Sequence, residues 1–192
     1  MTMVRPFVFS LFLALAFGEQ CSVKTDFETT CQIGGLVLTK DEIIKVSDDN
    51  CDSVYKKQQF AYLPKVTFPN AEQDQTYTVI CIDPDAPNHP KGHYYLHWIR
   101  ANIPGNDLAE GNTSNGEDLI EYIGPAPPAH TGLHRYMFLA FKHSDPALRL
   151  KTKLTQQERR RFNLADWISN VQRTEGVICG PEAGVQFKAE FA

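Results

Sequence analysis

The sequence of 192 residues has no excess of positive charge, because 19 Lys and Arg face 23 Asp and Glu and give a formal net charge of −4. A general nucleic-acid binder carries a basic surface, so this balance argues against that class. Internal repeats and low-complexity tracts are also missing, which excludes repeat arrays and long disordered regions. With 42% hydrophobic and 22% charged residues, the composition is that of an ordinary folded protein.

Apolar runs of membrane-spanning length are absent from the sequence. The longest run, residues 7–17, has about half of the roughly 20 apolar residues that a spanning helix needs. It follows Arg5, and this pattern is typical of a secretory signal peptide, which we predict over residues 1–18. We therefore expect a secreted, extracellular protein without a membrane span, and one domain over residues 19–192. A sequon at Asn112 is a predicted glycosylation site.

The five cysteines form no zinc-binding pattern, since no Cys-x-x-Cys pair occurs and no His lies within a few residues of any of them. In an oxidising compartment they are candidates for disulfides instead. Cys81 lies in an apolar run and is expected to remain a buried free thiol. The other four allow three connectivities, and the pairing that we favour is Cys31 with Cys51 and Cys21 with Cys179.

The middle of the chain is rich in β-strand signals. Short runs dense in aromatic and β-branched residues predict strands over residues 77–82, 97–102 and 134–141. Both alternating faces of the third run are largely apolar, which predicts a central strand that is covered on two sides.

Helical signals lie toward the two ends of the chain. Two Thr-x-x-Glu segments have the spacing of a capping box. The first, residues 39–42, predicts a short helix that ends near Val46, and the second, residues 155–158, predicts another helix start. Apolar residues recur at helical spacing further along, which predicts a helix over residues 162–172.

Two proline-rich loops bring ionisable side chains to the ends of predicted strands. One loop carries Asp83 and Asp85 directly after the first strand. The other, residues 124–132, leads into the strand that begins at His134, and His97 begins the remaining strand. Proline fixes the backbone of such loops, and rigid loops on a sheet commonly hold binding sites.

Two carboxylates and two imidazoles at neighbouring strand ends can support three kinds of chemistry. They can capture an anion through imidazolium and backbone donors, or bind a metal ion for hydrolysis. They can also act as an acid–base pair. The residue types alone leave these three readings open, beside the ordinary role of a strand histidine as a hydrogen-bonded core residue.

Three segments occur in an order that carries a family resemblance. They are Asp-Pro-Asp-Ala-Pro from Asp83, His-Trp-Ile-Arg-Ala-Asn-Ile-Pro-Gly from His97, and Pro-Pro-Ala-His-Thr-Gly-Leu-His-Arg-Tyr from Pro127. Together they resemble the phosphatidylethanolamine-binding protein family, which includes Raf kinase inhibitor proteins. The signal peptide and the cysteines are similar to those of its secreted members. The resemblance implies a mainly β fold with peripheral helices, in which a large antiparallel sheet packs on a smaller sheet.

The resemblance also implies a small anion pocket. Carried over residue by residue, the ligand-binding residues are Asp83, Asp85, His97 and His134, with Pro127, Pro128 and Tyr136 in the wall. The two histidines are then expected to face phosphoryl oxygens, while Asp83 accepts a hydrogen bond or meets an ammonium group. The resemblance implies no catalytic nucleophile, no metal and no other cofactor.

The function predicted from these observations is that of a secreted, non-catalytic binder of phospholipid head groups. Its ligand would be phosphatidylethanolamine or another small phosphate-bearing molecule. The first alternative is a secreted serine-protease inhibitor whose partner is an extracellular protease. The lowest-ranked alternative is a metal-dependent hydrolase that uses Asp and His ligands. We interpret the basic cluster at residues 159–161 as a solvated helix face.

Overall fold

The computed structural model describes residues 21–191, and the predicted signal peptide lies outside this range. None of the helices in this range is long and apolar enough to cross a membrane. In chain order, the strands and α-helices are β1 (Val37–Lys40), β2 (Ile44–Val46), β3 (Lys65–Thr67), β4 (Thr76–Asp83), β5 (His93–Pro104), α1 (Gly105–Glu110), β6 (Glu117–Ile120), β7 (His134–His143), β8 (Phe162–Asn163), α2 (Leu164–Thr174) and β9 (Ile178–Ala189). Short 3-10 helices cover Asp48–Asn50, Lys57–Phe60 and Gln156–Arg159.

Two antiparallel sheets make up most of the fold. The larger sheet has the strand order β6-β5-β4-β7-β9, and β8 pairs with the start of β5. The smaller sheet has the order β2-β1-β3. Side chains of the smaller sheet share one apolar cluster with one face of the larger sheet, while α2 packs on the other face. This architecture confirms the predicted fold class, and the three predicted strands lie within β4, β5 and β7.

The centre of the larger sheet is covered on both faces. All residues of β4 are buried. Because side chains alternate across a strand, Val79 and Cys81 face the smaller sheet while Ile80 and Ile82 face the cluster beneath α2. The same alternation turns the next side chain, that of Asp83, toward the smaller-sheet side of β4.

The short helix predicted from residues 39–42 is wrong, because this part of the chain forms the hairpin of β1 and β2. Asp41 and Glu42 take left-handed backbone angles in the turn, with φ of 50° and 59°. The hairpin places Leu38 and Val46 opposite each other, and both are fully buried in the core. Burial of these two side chains outweighs the local preference for a capped helix.

The two helical predictions near the end of the chain are confirmed. The capping-box segment at residues 155–158 opens the 3-10 helix that ends at Arg159. Helix α2 begins two residues later than the predicted start at residue 162. The reason is that the Asn163 side chain caps the helix by accepting a hydrogen bond from the Asp166 amide.

Two disulfides bind distant parts of the chain together. Cys31 pairs with Cys51 across 20 residues, and Cys21 pairs with Cys179 in β9 across 158 residues. These are the pairs that we favoured from the sequence. Cys81 is free and buried, and burial raises the pKa of its thiol. The second disulfide holds the start of the described chain against the edge strand β9.

A buried histidine at the end of β7 makes the fold sensitive to acid. The Nδ1 atom of His143 lies 3.2 Å from the Leu148 carbonyl oxygen, and its Nε2 atom lies 2.8 Å from Thr78 Oγ1. A carbonyl oxygen can only accept, so Nδ1 carries the proton and Nε2 accepts from the threonine. Burial lowers the pKa of His143 to about 4, because the charged form would lose its hydration.

We expect the free energy of unfolding to fall as the pH drops below the ordinary range of histidine. The unfolded state binds a proton near pH 6.5, whereas folded His143 binds one only near pH 4. Between pH 7 and 4.5 this group should cost about 2 to 3 kcal/mol of stability. Urea unfolding of His143→Gln, which keeps both hydrogen bonds, should show a loss smaller by that amount. Equal losses in both proteins would contradict the assignment.

Candidate functional site

The sequence-predicted acidic and histidine side chains meet at one end of the larger sheet. Asp83 ends β4, His134 begins β7, and β5 carries His97 on the other side of β4. These residues line a cavity of about 520 Å³, which we call the head cavity. Its walls also include Ala86, Pro87, Asn88, His89, Tyr95, Ile123, Gly124, Ala126, Pro128, Tyr136, Arg160 and Arg161.

The sequence predicted that a strand begins at His97, but β5 begins at His93 and His97 lies at a β-bulge within it. Cys81 of β4 pairs with Trp98 and Ile82 pairs with Leu96, so His97 has no residue opposite it. A bulge changes the direction of the side chains that follow. As a result, His97 reaches the Tyr136 ring on the smaller-sheet side, and Trp98 packs into the apolar cluster on that same side.

The bulge is held by a buried arginine that sequence reasoning had placed in solvent. Arg159 is 1% exposed. Its guanidinium donates hydrogen bonds to the carbonyl oxygens of Leu96 and His97 at 3.1 and 3.0 Å, and to that of Glu121 at 2.6 Å. The Ile123 amide donates to the His97 carbonyl as well. One side chain thus joins β5 to the loop that forms the opposite wall of the cavity.

A buried ion pair joins β4 to β7 at the floor of the head cavity. His134 Nδ1 lies 2.7 Å from Asp83 Oδ2, and its Nε2 lies 2.8 Å from Thr131 Oγ1. The threonine hydroxyl donates its proton to the Pro128 carbonyl, so it accepts from His134. Both ring nitrogens therefore carry protons. Burial favours the neutral ring, but the hydrogen bond and charge of Asp83 outweigh it and raise the pKa of His134.

The His97 ring is neutral and offers an acceptor to the cavity, unlike the His134 ring. Its Nδ1 lies 2.8 Å from the Ile123 carbonyl oxygen and therefore carries the proton. Burial lowers the pKa of His97 despite that hydrogen bond, so the ring is neutral near pH 7. Its Nε2 makes no hydrogen bond with any residue from 21 to 191 and presents a lone pair. The ring is held between Tyr95 and Tyr136, with ring centroids 5.1 and 5.0 Å away.

Two further polar atoms at the cavity have unused hydrogen-bonding capacity. The hydroxyl of Tyr136 has a contact with the Ala126 backbone that falls outside normal hydrogen-bond geometry, and the Nδ1 atom of His89 has no partner in the described chain; both atoms are buried. His89 Nε2 accepts a long hydrogen bond from the Arg161 amide, which leaves the proton on Nδ1. Buried polar groups without partners are rare and often mark a place where a ligand binds. Sequence reasoning did not select His89, although it lies in the proline-rich loop that it singled out.

The structure places Asp85 and Pro127 differently from the other predicted site residues, because neither lines the head cavity. The Asp85 carboxylate accepts hydrogen bonds from the Arg135 backbone and guanidinium at 2.6 to 2.9 Å. Burial favours a protonated Asp85, but these bonds outweigh it and lower its pKa. Asp85 therefore fastens the loop after β4 to β7, while Pro127 is buried behind the cavity wall.

The mouth of the cavity carries two exposed arginines. Arg160 and Arg161 follow the buried Arg159 and line the head cavity with their exposed side chains. Neither guanidinium forms an ion pair with an acidic side chain in the described part of the chain. The prediction of one solvated helix face was therefore wrong for Arg159 and missed the position of the other two at the cavity. Nothing in the local sequence separates these three roles.

This arrangement offers a small polar ligand both donors and acceptors. The exposed guanidinium groups of the two mouth arginines are available as cationic donors, and His97 and Asp83 offer acceptors. The two N–H groups of His134 are already taken by Asp83 and Thr131, so this ring contributes its charge but no free donor. Among residues 21–191, no cluster of three or more His, Cys, Asp or Glu side chains is arranged to hold a metal ion.

Replacement of Arg159 by Met should destabilise the fold, because it removes the donor to the carbonyl oxygens of Leu96, His97 and Glu121, although the His97 oxygen keeps its bond from the Ile123 amide. We expect a loss of about 3 kcal/mol in the free energy of unfolding, measured in urea. The matched control is Arg160→Met, whose exposed side chain should change stability by less than about 0.5 kcal/mol. Equal stability of the two variants would refute the role assigned to Arg159.

Replacement of Asp83 by Asn should lower the pKa of His134. The amide can still accept a hydrogen bond but lacks the charge that offsets burial, so a fall of about one unit or more is expected. Histidine ring signals followed by NMR across pH would measure this fall. The signals of His143, which lies at the far end of β7, serve as an internal control. An unchanged His134 midpoint would contradict the ion-pair assignment.

The sequence matches one family model, and the curated proteins that resemble part of it include one from Drosophila melanogaster and one from Toxocara canis. The sequence model of the phosphatidylethanolamine-binding protein family matches residues 38–171. "Putative odorant-binding protein A5" of Drosophila melanogaster is 33% identical over 111 residues, which cover 54% of this chain and 50% of that protein. The "26 kDa secreted antigen" of Toxocara canis is 39% identical over 95 residues, which cover 48% and 34%. The match thus spans half or less of these relatives.

Comparison with solved structures supports the same fold. A phosphatidylethanolamine-binding protein from Plasmodium vivax aligns with a TM-score of 0.61 at 20% identity, covering 82% of this chain and 85% of that one. A carboxypeptidase Y inhibitor, solved in complex with its cognate proteinase, aligns with a TM-score of 0.59 at 19% identity, covering 83% and 84%. At these identities the likeness concerns the fold alone. Because the family match extends over most of the sequence, the chain belongs to the phosphatidylethanolamine-binding protein family.

Proposed function

We propose that this protein is a secreted, non-catalytic binder of phosphate-bearing head groups, and that the head cavity is its binding site. The observation that carries the proposal is the distribution of charge around that cavity. The ion pair of His134 and Asp83 lies at its floor, and the guanidinium groups of Arg160 and Arg161 lie at its mouth without an acidic partner among residues 21–191. A phosphate group would accept charge-assisted hydrogen bonds from these two guanidinium groups, and the positive charge of the His134 ring would favour it further.

The two histidines would fix the orientation of a head group in the cavity. Phosphoryl oxygens would bind on the side of His134 and the mouth arginines. An ammonium group would donate toward the lone pair of His97 Nε2 and the carboxylate of Asp83. This refines the expectation that both histidines face phosphoryl oxygens, because a neutral His97 whose Nδ1 donates to Ile123 offers only an acceptor to the cavity. Phosphoethanolamine carries both charges that this arrangement matches.

Four features support an extracellular location. The disulfides Cys21–Cys179 and Cys31–Cys51 form and persist in oxidising compartments. The predicted glycosylation site Asn112 is exposed in the loop after α1, although its glycosylation stays a prediction. One of the partial relatives is named as a secreted antigen. The signal peptide predicted over residues 1–18 fits the same location.

Protease inhibition is a second candidate function. It is favoured by the fold likeness to the carboxypeptidase Y inhibitor, a protein solved in complex with its proteinase. That likeness identifies no inhibitory segment in this chain. Inhibition by a surface segment would be independent of the head cavity, whereas head-group binding requires it. Variants of the cavity, tested for both activities, therefore separate the two candidates.

The decisive measurement is calorimetry with phosphoethanolamine. The double variant Arg160→Ala/Arg161→Ala should bind about three- to tenfold more weakly, because two cations at the mouth are lost while the fold is untouched. The control Arg149→Ala/Lys151→Ala removes the same charge from exposed positions away from the cavity and should bind normally. Absence of binding, together with protease inhibition that phosphoethanolamine does not relieve, would overturn the proposal in favour of the second candidate.

Binding should also depend on pH through His134. Dimethyl phosphate is a useful probe, because a phosphodiester keeps one negative charge while a monoester titrates near pH 6. Burial lowers the pKa of His134, but Asp83 outweighs it and raises that pKa, so the ring keeps its charge to a higher pH than an ordinary histidine and loses its proton as the pH rises through the raised pKa. Affinity for dimethyl phosphate should therefore fall with rising pH in the intact protein and change less in His134→Gln. A flat profile in the intact protein would contradict the role of His134.

A further inference from the structure

A second groove lies beside the head cavity and shares the mouth arginines with it. This groove, about 540 Å³ in volume, is bordered by α2 and by the 3-10 helix that ends at Arg159. Arg160 and Arg161 line both spaces, so the two adjoin at these residues. We call it the tail groove.

Most of the exposed surface inside the tail groove belongs to apolar atoms, although polar and charged residues also line it. Its apolar lining consists of Leu154, Phe162, Trp167 and Val171. The last three belong to the core cluster beneath α2, and Leu154 packs against that cluster. Trp167 is 8% exposed, so the groove is where this part of the core reaches solvent. A polar ligand would gain little from such a wall.

The polar residues of the groove disfavour a second anion. They are Thr152, Gln157, Glu158, Asn163, Asp166 and Asn170. The Glu158 carboxylate is occupied by hydrogen bonds from Thr155, and Asp166 adds a second negative charge at the rim. Positive charge is therefore confined to the side that adjoins the head cavity. A ligand that spans both spaces must be anionic at one end and uncharged at the other.

We propose that the hydrocarbon chain of a phosphate-bearing ligand lies in the tail groove, along α2, while its phosphate is held in the head cavity. The inference rests on the proposed function, since it places the phosphate in the head cavity. Arg160 and Arg161 lie where the charged head meets the chain, and their charge fits an anion at that junction. The chain would cover the small part of Trp167 and of its apolar neighbours that still contacts water.

A series of alkyl phosphates tests this inference below their aggregation concentrations. Each methylene that is fully buried strengthens binding about fourfold. Because the groove is open to solvent, we expect hexyl phosphate to bind about tenfold or more tightly than methyl phosphate in calorimetry. Hexyl phosphate should also change the intrinsic tryptophan emission, since one of the two tryptophans, Trp167, lines the groove while Trp98 is fully buried. Methyl phosphate should leave the emission unchanged.

Two variants of α2 provide a charge-matched comparison. Asn170 lines the tail groove, whereas Gln172 is exposed outside it. Asn170→Glu puts a carboxylate where the chain would lie, and it should reduce the advantage of hexyl over methyl phosphate to less than about threefold. Gln172→Glu adds the same charge nearby and should keep the full advantage. Because each variant is judged by the ratio of its two ligands, a general effect of charge on phosphate binding cancels.

The outcomes distinguish failure of the tail groove from failure of phosphate binding in the head cavity. If neither methyl nor hexyl phosphate binds, the proposed function fails and the inference fails with it. If both bind with equal affinity, the head-group proposal stands and the tail groove is refuted. The tail groove is also refuted if hexyl phosphate is preferred but Asn170→Glu and Gln172→Glu retain the preference equally, because the chain then lies elsewhere.

Discussion

The geometry of the head cavity depends on the guanidinium of Arg159. It donates to the backbone oxygens of Leu96 and His97 at the bulge and to that of Glu121 in the loop across from it. A bulge leaves backbone groups outside the regular ladder, and these must be satisfied when they are buried. Because the bulge directs His97 toward the cavity, a residue outside the cavity lining determines where a cavity-facing side chain lies.

The second constraint is the different protonation of the two cavity histidines. Both rings are buried, which by itself disfavours charge. His134 is charged because Asp83 faces its Nδ1 and Thr131 accepts from its Nε2, whereas His97 faces a carbonyl oxygen and a lone pair remains on its other nitrogen. The same residue type therefore supplies a cation at one point of the cavity and an acceptor at another. This difference places positive charge and an acceptor at separate points of the cavity, which is the basis of the proposed head-group orientation.

The periodic parts of the fold could be predicted, and the irregular parts could not. Strands β4 and β7 are apolar on both faces, and α2 has a clear helical repeat, so their sequence patterns identified them. The hairpin of β1 and β2 was missed because its short segment carries a local helix-capping pattern. Its true conformation is selected by burial of Leu38 and Val46 against the larger sheet. A local pattern carries no information about that distant partner.

The sequence by itself determined the β-rich class, the approach of Asp83, His97 and His134 to one end of the sheet, and, through the resemblance, the family. Strand periodicity and motif order suffice for these, since they are properties of consecutive residues. Only the tertiary structure decided that Asp85 binds Arg135 and that Arg159 is buried while its two neighbours border the cavity. These outcomes depend on contacts between residues far apart in the chain, and such contacts exist only after the sheets and loops have packed.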